Sequence, residues 1–553
     1  MASTNSTTPA WKKKAASKRV AQFDSIPKEW RLSDPKPQPK NTYDFLQTSG
    51  LLTSSELRIT EIIDAKALLA QIANGELSAV AVTTAFSKRA AIAQQLIGCC
   101  TEMFFAEAIE TAARLDEYLK KNGKTVGPLH GLPVSVKDVF SVTGQDTTVG
   151  WTCGIGQPAK ADDVLVSTLR KQGAVLYVKT NIPQSLMMSD SYNHVFKQSV
   201  NAFHRELISG GSSGGEGALV GALGSIVGIG TDIGGSIRIP ANLQGLYGLQ
   251  PSTRRIPYEK SGSREYIVPG VAGPMTTTLS SLEVFMDGFL AGQPWLFDPV
   301  LTPLPWRSEL AALPKRPLKI GYYLDDGHVR VQPPCEAAVN KALSALREAG
   351  HYVFHWEPSE HEYACKLWEK AVMADGGKRC QLLCEKEGEP LIQGMVVGTE
   401  KDRLDVDEGN AVAQEIRDYQ KRYLQKWHDA GLDALIMPVQ PWVGFKPKTW
   451  VKSSQWVGYS SHWNLLDWAV LAAPIGVAEP EKIDVNAKPG DGRDAWAQHK
   501  PRNESDRFNW EQYDPSLVAG MPVGIQIVGG KFGEENAVAV AKALEAALRT
   551  SGE

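Results

Sequence analysis

Chemistry concentrates in one stretch, Ile208–Pro240, which reads ISGGSSGGEGALVGALGSIVGIGTDIGGSIRIP. Its serines are Ser209, Ser212, Ser213, Ser225 and Ser236, and its charged residues are Glu216, Asp232 and Arg238. Apolar residues alternate with the glycines, unlike a flexible linker, which is polar throughout. Glycine at this density points to backbone held in unusual φ/ψ or brought close to a ligand. Two serine-bearing glycine turns flank an apolar run, Ala218–Ile229, with the character of one buried helix or strand. In the second turn, the N–H groups of Ile233, Gly234, Gly235 and Ser236 can curl around one point and make an oxyanion hole. Asp232 and Arg238 flank that loop and could pair to hold its shape.

A serine hydroxyl needs a base. No histidine neighbours either turn, whereas Lys137 ends an apolar run, Gly131–Lys137, where a lysine is costly. Most strand-end lysines snorkel to water; one kept in an apolar site shifts toward its neutral form and becomes a usable base. Two other motifs compete. Gly211-Ser212-Ser213-Gly214-Gly215 matches the nucleophile elbow G-x-S-x-G around Ser213, for which Asp433 and His462 could complete a triad, but the residues before Gly210 make a poor strand. Gly228-Ile229-Gly230 resembles a dinucleotide turn with its third glycine misplaced at Gly234, and no Walker-type phosphate loop occurs.

Composition narrows the classes. The chain has 553 residues, 42% hydrophobic and 22% charged, ordinary values for a globular protein with a large core. A net charge of −3 argues against a nucleic-acid footprint. Seven irregularly spaced cysteines suit reduced thiols and a cytoplasmic location; Cys380 and Cys384 have no second Cys/His pair at zinc spacing, so no metal is expected. No run is long and apolar enough for an obvious membrane span, and Lys12-Lys13-Lys14 is not followed by a signal-peptide core. Residues 11–32 predict a basic amphipathic helix docked on the surface, and Ser33–Lys40 an extended connector.

The elements that must position these residues alternate. Helices are expected over Leu57–Ile72, after a Ser78 cap, and over Glu107–Lys121. Strands at Pro133–Lys137, Ala174–Val178 and Gly224–Gly230, with a helix over Asp163–Gln172, predict an α/β region with a buried sheet. Proline-rich residues 303–317 cross to a strand–helix–strand unit from Leu318 to His355. Residues 360–430 read as helical and 480–515 as a polar surface excursion. Strands at Leu435–Pro438 and Val523–Gly529 and a helix over Glu534–Arg549 close the chain.

The strings GLPVSVKD (131–138), GGSSGGEGAL (210–219) and GTDIGGSIRIPA (230–241), in this order and spacing, resemble the amidase signature family. The resemblance continues through Gly273-Pro274-Met275, Asn464–Asp467 and Gly520–Gln526, and within the family it is strongest to fungal acetamidase-like enzymes, with fatty acid amide hydrolase more distant. It implies an α/β fold with a large mixed, mostly parallel central sheet covered by helices on both faces. It also implies an N-terminal extension (1–55) ahead of one catalytic domain (56–553), with core motifs at 131–275 and a C-terminal subregion at about 318–553.

Carried over by position, Ser236 is the implied nucleophile, Ser212 a bridging serine after a cis Gly211–Ser212 bond, and Lys137 the base. Ser213, Thr231, Asp232 and Arg238 are supporting residues, and Leu186, Met187 and Met188 flank the acyl pocket. The implied reaction is amide hydrolysis through an acyl-enzyme, with no cofactor. Ester or carbamate hydrolysis, an amidotransferase-type A subunit working with partners, and a silent binding protein are the alternatives. The expected partner is a small-molecule amide, with a homodimer left open. Trp442, Trp450, Trp456, Trp463 and Trp468 are candidates for the substrate entrance. Departures from the usual pattern at Asn201-Ala202-Phe203, Ser209 and Gln250–Arg255 bear on substrate preference more than on activity.

Overall fold

Pro133–Lys137 forms a strand buried along its whole length, so Lys137 ends inside the protein. In the computed structural model, which describes residues 8–34, 36–258, 267–452 and 456–550, this strand lies near one side of an eleven-stranded sheet. The strands are β1 (Cys100–Met103), β2 (Pro133–Lys137), β3 (Val175–Thr180), β6 (Val227–Asp232), β7 (Tyr247–Gln250), β8 (Val271–Thr276), β9 (Lys319–Tyr322), β10 (Tyr352–His355), β11 (Ala434–Met437), β12 (Ala469–Val477) and β13 (Pro522–Gly530). A separate two-stranded ribbon pairs β4 (Tyr192–Asn193) with β5 (Lys197–Gln198). The sheet order is β1-β3-β2-β6-β8-β7-β12-β13-β11-β9-β10.

The sheet is mixed, as expected. Parallel pairings form two blocks, β3-β2-β6 and β11-β9-β10, and antiparallel pairings join them through β8, β7, β12 and β13. The strands β2, β3, β6 and β8 are buried throughout, and for the first three this explains why they read as near-continuous apolar runs rather than alternating ones. Register places Lys137 of β2 opposite Thr180 of β3, and Val136 opposite Ile229 of β6. The first catalytic-looking segment is thereby fixed beside the second.

Three sequence expectations are corrected in detail. The apolar run Ala218–Ile229 is two elements: a fully buried helix, Gly214–Gly221, ends before β6 begins at Val227. A turn through Leu223, at φ 56°, separates them. The helix over Leu57–Ile72 is broken in two, Ser54–Thr60 and Ala65–Ala73, because Thr53 and Asp64 each cap their own first turn. β1, β7, β8 and β12 were not anticipated; they are short or lie in segments rich in glycine, proline and alanine, which have weak strand propensity.

Other expectations agree closely. Ser78 caps the helix Ala79–Ile97, which stops at the left-handed Gly98. The N-terminal basic segment is a docked helix as expected, but it ends at Asp24 rather than continuing to residue 32, with a separate 3-10 turn at Lys28–Trp30 after Pro27; Lys18 holds it to Glu102 and Asp146, and Arg19 to the Val195 carbonyl. Part of the connector after it, Pro35, lies outside the described residues. Among the described residues, no helix is long and apolar enough to cross a membrane.

Candidate active site

The side chain of Lys137 is fully buried, and its Nζ lies 2.7 Å from Ser212 Oγ and 2.8 Å from Thr231 Oγ1. Desolvation of a lysine is offset by such oriented hydroxyl partners. Lys137 reaches Ser212 because the first glycine turn lies over the end of β2, with a cis peptide between Gly211 and Ser212. Immediately after, the helix Gly214–Gly221 starts; Ser213 pins that start to β6, its Oγ donating to the Thr231 carbonyl and accepting from the Thr231 N–H, each at 3.2 Å. The Ser213 N–H in turn donates to the Ser236 carbonyl at 3.1 Å. The two glycine turns are therefore bound directly to each other.

Ser236 is partly exposed and borders the same small space as Ser212, Thr231, Ile233, Leu186 and Met187. A second small space on its other side is bordered by Met188, Gly234, Ile239 and Trp368. All three of Leu186, Met187 and Met188 therefore reach the site. The four N–H groups expected to converge do not all remain available. Gly235 donates to Asp232 Oδ1 at 2.7 Å, and Ile237 to Asp232 Oδ2 at 3.0 Å, because the Asp232 carboxylate folds back under the turn. The Asp232 carboxylate thus accepts from Gly235, Ile237 and Arg238, and of the four expected N–H groups it engages only that of Gly235.

Asp232 and Arg238 form a two-pronged buried ion pair, Nε to Oδ2 at 3.1 Å and Nη2 to Oδ1 at 3.0 Å. Burial pushes the Asp232 carboxyl up, but Arg238 and the surrounding donors outweigh it and hold the group below the usual carboxylate range. Arg238 also donates to Asn464 Oδ1 at 2.7 Å and to Gln526 Oε1 at 3.1 Å, and Asn464 donates to Asp232 at 2.9 Å. The strings Asn464–Asp467 and Gly520–Gln526 thus meet the second turn as supports. Such a satisfied network fixes a loop that has little side-chain bulk of its own.

Two further props were not legible in the sequence. Trp368 donates its indole N–H to the Ile233 carbonyl at 2.8 Å, and Ser460 donates to the Gly234 carbonyl at 2.6 Å. Gly235 has φ +123°, and a Cβ there would lie 2.3 Å from Ser460 Oγ, so glycine is required on both grounds. The tryptophan beside Ser236 is Trp368 rather than one of the five named from the sequence. Of those, Trp450 bonds to Asp190, and Trp463 and Trp468 are core residues.

The elbow alternative around Ser213 finds no support. Coil precedes it, Asp433 pairs with Arg316 and caps Lys319, and His462 is buried against the Tyr419 hydroxyl at 2.7 Å. Among the described residues, no group of three or more His, Cys, Asp or Glu side chains could hold a metal ion.

The model of the Amidase family matches residues 81–538, spanning both glycine turns and the supports. The chain belongs to the amidase family. This amidase is 38% identical to the acetamidase of Emericella nidulans over 96% of this chain and 97% of that one, and 36% identical to the acetamidase of Aspergillus oryzae over 96% and 98%. A solved structure of fatty acid amide hydrolase is similar with a TM-score of 0.89 and 34% identity, covering 98% of this chain and 95% of that one. This amidase is therefore, by family, an amide-hydrolysing enzyme with the amidase-signature fold.

Proposed function

We propose that the protein hydrolyses small carboxylic amides through an acyl-enzyme on Ser236, with Ser212 and Lys137 as a proton relay and no cofactor. The observation that carries this reading is the buried Lys137–Ser212 contact of 2.7 Å beside a partly exposed Ser236. Neutral Lys137 takes a proton from Ser212, Ser212 takes one from Ser236, and the Ser236 oxygen attacks the amide carbon. Negative charge on the carbonyl oxygen is met by backbone N–H groups of the 233–236 turn other than that of Gly235, which is held by Asp232. The proton returns through Ser212 to the departing nitrogen, an essential step because an amine anion is a very poor leaving group. Water then repeats the route on the acyl-enzyme and releases the carboxylate.

Thr231 holds the lysine in reach of Ser212, and Asp232 and Arg238 hold the turn. The free space between Ser212 and Ser236 is about 40 Å³, which suits a reacting centre no bulkier than a simple carboxamide. The acetamidase relatives support the same choice. Ser236→Ala is expected to lower turnover of acetamide and similar amides by at least about 10³-fold while leaving the circular-dichroism spectrum intact; turnover retained within tenfold would overturn the assignment. Hydrolysis by the isolated chain also separates this reading from an amidotransferase subunit, which requires its partners.

A further inference from the structure

Hydrolysis at Ser236 gives the two ends of an amide different places. The leaving nitrogen must face Ser212, which returns the proton to it, and the carbonyl oxygen must face the backbone of the 233–236 turn. The acyl substituent is then directed to the side of Ser236 away from Ser212. The two small spaces around Ser236 divide in the same way. One is bordered by Ser212 and Thr231, the other by Met188, Gly234, Ile239 and Trp368.

The acyl side is short and closed. Its free volume is about 30 Å³, and one water-sized group needs roughly 10–15 Å³ of such space, so a methyl or ethyl tail fills it. Its end wall is tied to the catalytic turn. Trp368 is 3% exposed and donates to the Ile233 carbonyl at 2.8 Å. It lies so near Gly234 that a Cβ there would meet the indole Cζ2 at 2.6 Å. Val457, also on this wall, leads into the helix Gly458–Leu466, whose Ser460 holds the Gly234 carbonyl. Val396 completes the wall, its N–H donating to the Met187 carbonyl at 3.0 Å. This side cannot widen without disturbing the turn that receives the carbonyl oxygen.

The amine side continues. The space beside Ser212 shares Ser185 and Leu186 with a cavity of about 260 Å³, which lies between the 139–157 loop and the helix Lys378–Glu387. By the same measure an aromatic ring and its linker fit there. Val139, Val149, Trp151, Leu186 and Leu383 make its wall largely apolar. The threonines beside them are engaged already: Thr147 accepts from Lys179 and Thr148 donates to Asp138. Ser185, Leu186 and Val149 hold φ of 65°, 68° and 49°, left-handed backbone that is costly and clusters at ligand clamps. Gln157 and Lys386, both exposed, also line the cavity, which gives a released amine a path to water.

We infer that this amidase selects amides built from a short acyl group, limited by Trp368, and an apolar amine of benzyl size, housed in the cavity past Leu186. The inference rests on Ser236 as nucleophile and Ser212 as proton donor, and adds the substrate class. In the first step the Ser236 Oγ–carbon bond forms and the carbon–nitrogen bond breaks. The nitrogen leaves as a neutral amine, carrying the proton that Ser236 gave up. Water then cleaves the acyl ester to the carboxylic acid and restores Ser236.

The test uses the full chain and matched N-substituted amides. N-benzylacetamide should exceed N-methylacetamide in kcat/KM by about tenfold, since the leaving amines are of similar basicity and differ in the ring that is buried. N-benzylbutyramide should fall below N-benzylacetamide by about tenfold or more, because a fitted pocket rejects added carbon. Trp368→Ala removes the end wall together with a hydrogen bond to the turn, so all rates fall. The butyramide-to-acetamide ratio of kcat/KM should nevertheless rise about tenfold. Val457→Ala, which leaves the Trp368 bond in place, should move that ratio in the same direction. Leu383→Trp narrows the cavity and should lower the benzyl-to-methyl ratio. Ratios that stay fixed in these variants would overturn the inference, since a structural defect lowers every rate by one factor. Equal turnover of butyramide and acetamide by the unaltered protein would overturn it too, as would a preference for N-methyl over N-benzyl. Acetamide itself separates the two levels of failure. Its hydrolysis without the expected selectivity sinks only the substrate class, whereas absence of all amide hydrolysis sinks the catalytic reading.

Discussion

The second glycine turn depends on single residues whose replacement has no escape route. Gly235→Ala brings a Cβ within 2.3 Å of Ser460 Oγ at a φ that L-residues rarely adopt. It is expected to abolish amide hydrolysis and to cost about 2 kcal/mol or more of stability, read by urea unfolding. Asp232→Asn keeps the shape but leaves Arg238 as an uncompensated buried cation, fully enclosed by protein. A loss of about 3–5 kcal/mol is expected, because breaking one side of a buried pair strands the other charge. Thr231→Val, by contrast, removes only one of the hydroxyls that hold Lys137.

At the scale of elements, the sheet and the helix Gly214–Gly221 share one buried acid. Glu216 on that helix accepts from Ser135 of β2 at 2.5 Å and Thr180 of β3 at 2.8 Å, two strands that meet at Lys137. Burial pushes its carboxyl up to about 8, against the opposing effect of these donors and of Lys137. A carboxyl raised above its unfolded value binds a proton more tightly when folded. Its contribution is therefore fully present below about pH 4 and is lost as pH rises through 8. Glu216→Gln is expected to flatten the fall in unfolding free energy between pH 5 and pH 8; an unchanged slope would count against the shift. The effect belongs to the element because the group ties a helix to two strands.

Across the whole molecule, the chain before the proline-rich crossing supplies the lysine and both serines, and the chain beyond it supplies further supports. Trp368, Ser460, Asn464 and Gln526 all reach the turn from beyond the proline-rich crossing at 303–317. Behind them, His361 and His462 stack with centroids 3.9 Å apart and join the helices His361–Val372 and Gly458–Leu466. Burial, with a smaller effect of Lys426, pushes His361 down to about 3, and burial together with His361 depresses His462 as well. The unfolded chain then binds more protons than the folded one between about pH 3 and pH 6.5. Stability should fall as pH drops through that window, by up to about 1.4 kcal/mol per pH unit from His361, and the depressed His462 acts in the same direction. His361→Phe should lessen that acid slope in urea titrations, whereas an acid slope equal to that of the parent protein would refute it.

What the sequence alone determined was local. Strand β2 and its terminal lysine, the capped helix after Ser78, and the two serine turns were legible because apolar run length, capping and glycine placement act within a few residues. The order and spacing of three strings carried the family. Tertiary structure decided the rest, for physical reasons that sequence distance conceals. Whether Lys137 snorkels to water or is buried depends on β3 and β6 closing over β2. The Gly235 N–H is taken by Asp232 only because Arg238, Asn464 and Gln526 hold that carboxylate in place. Trp368 and Ser460 touch the turn through contacts spanning more than a hundred residues, so no local pattern announces them. The same holds for the cavity past Leu186, whose two walls come from segments that only the fold brings face to face.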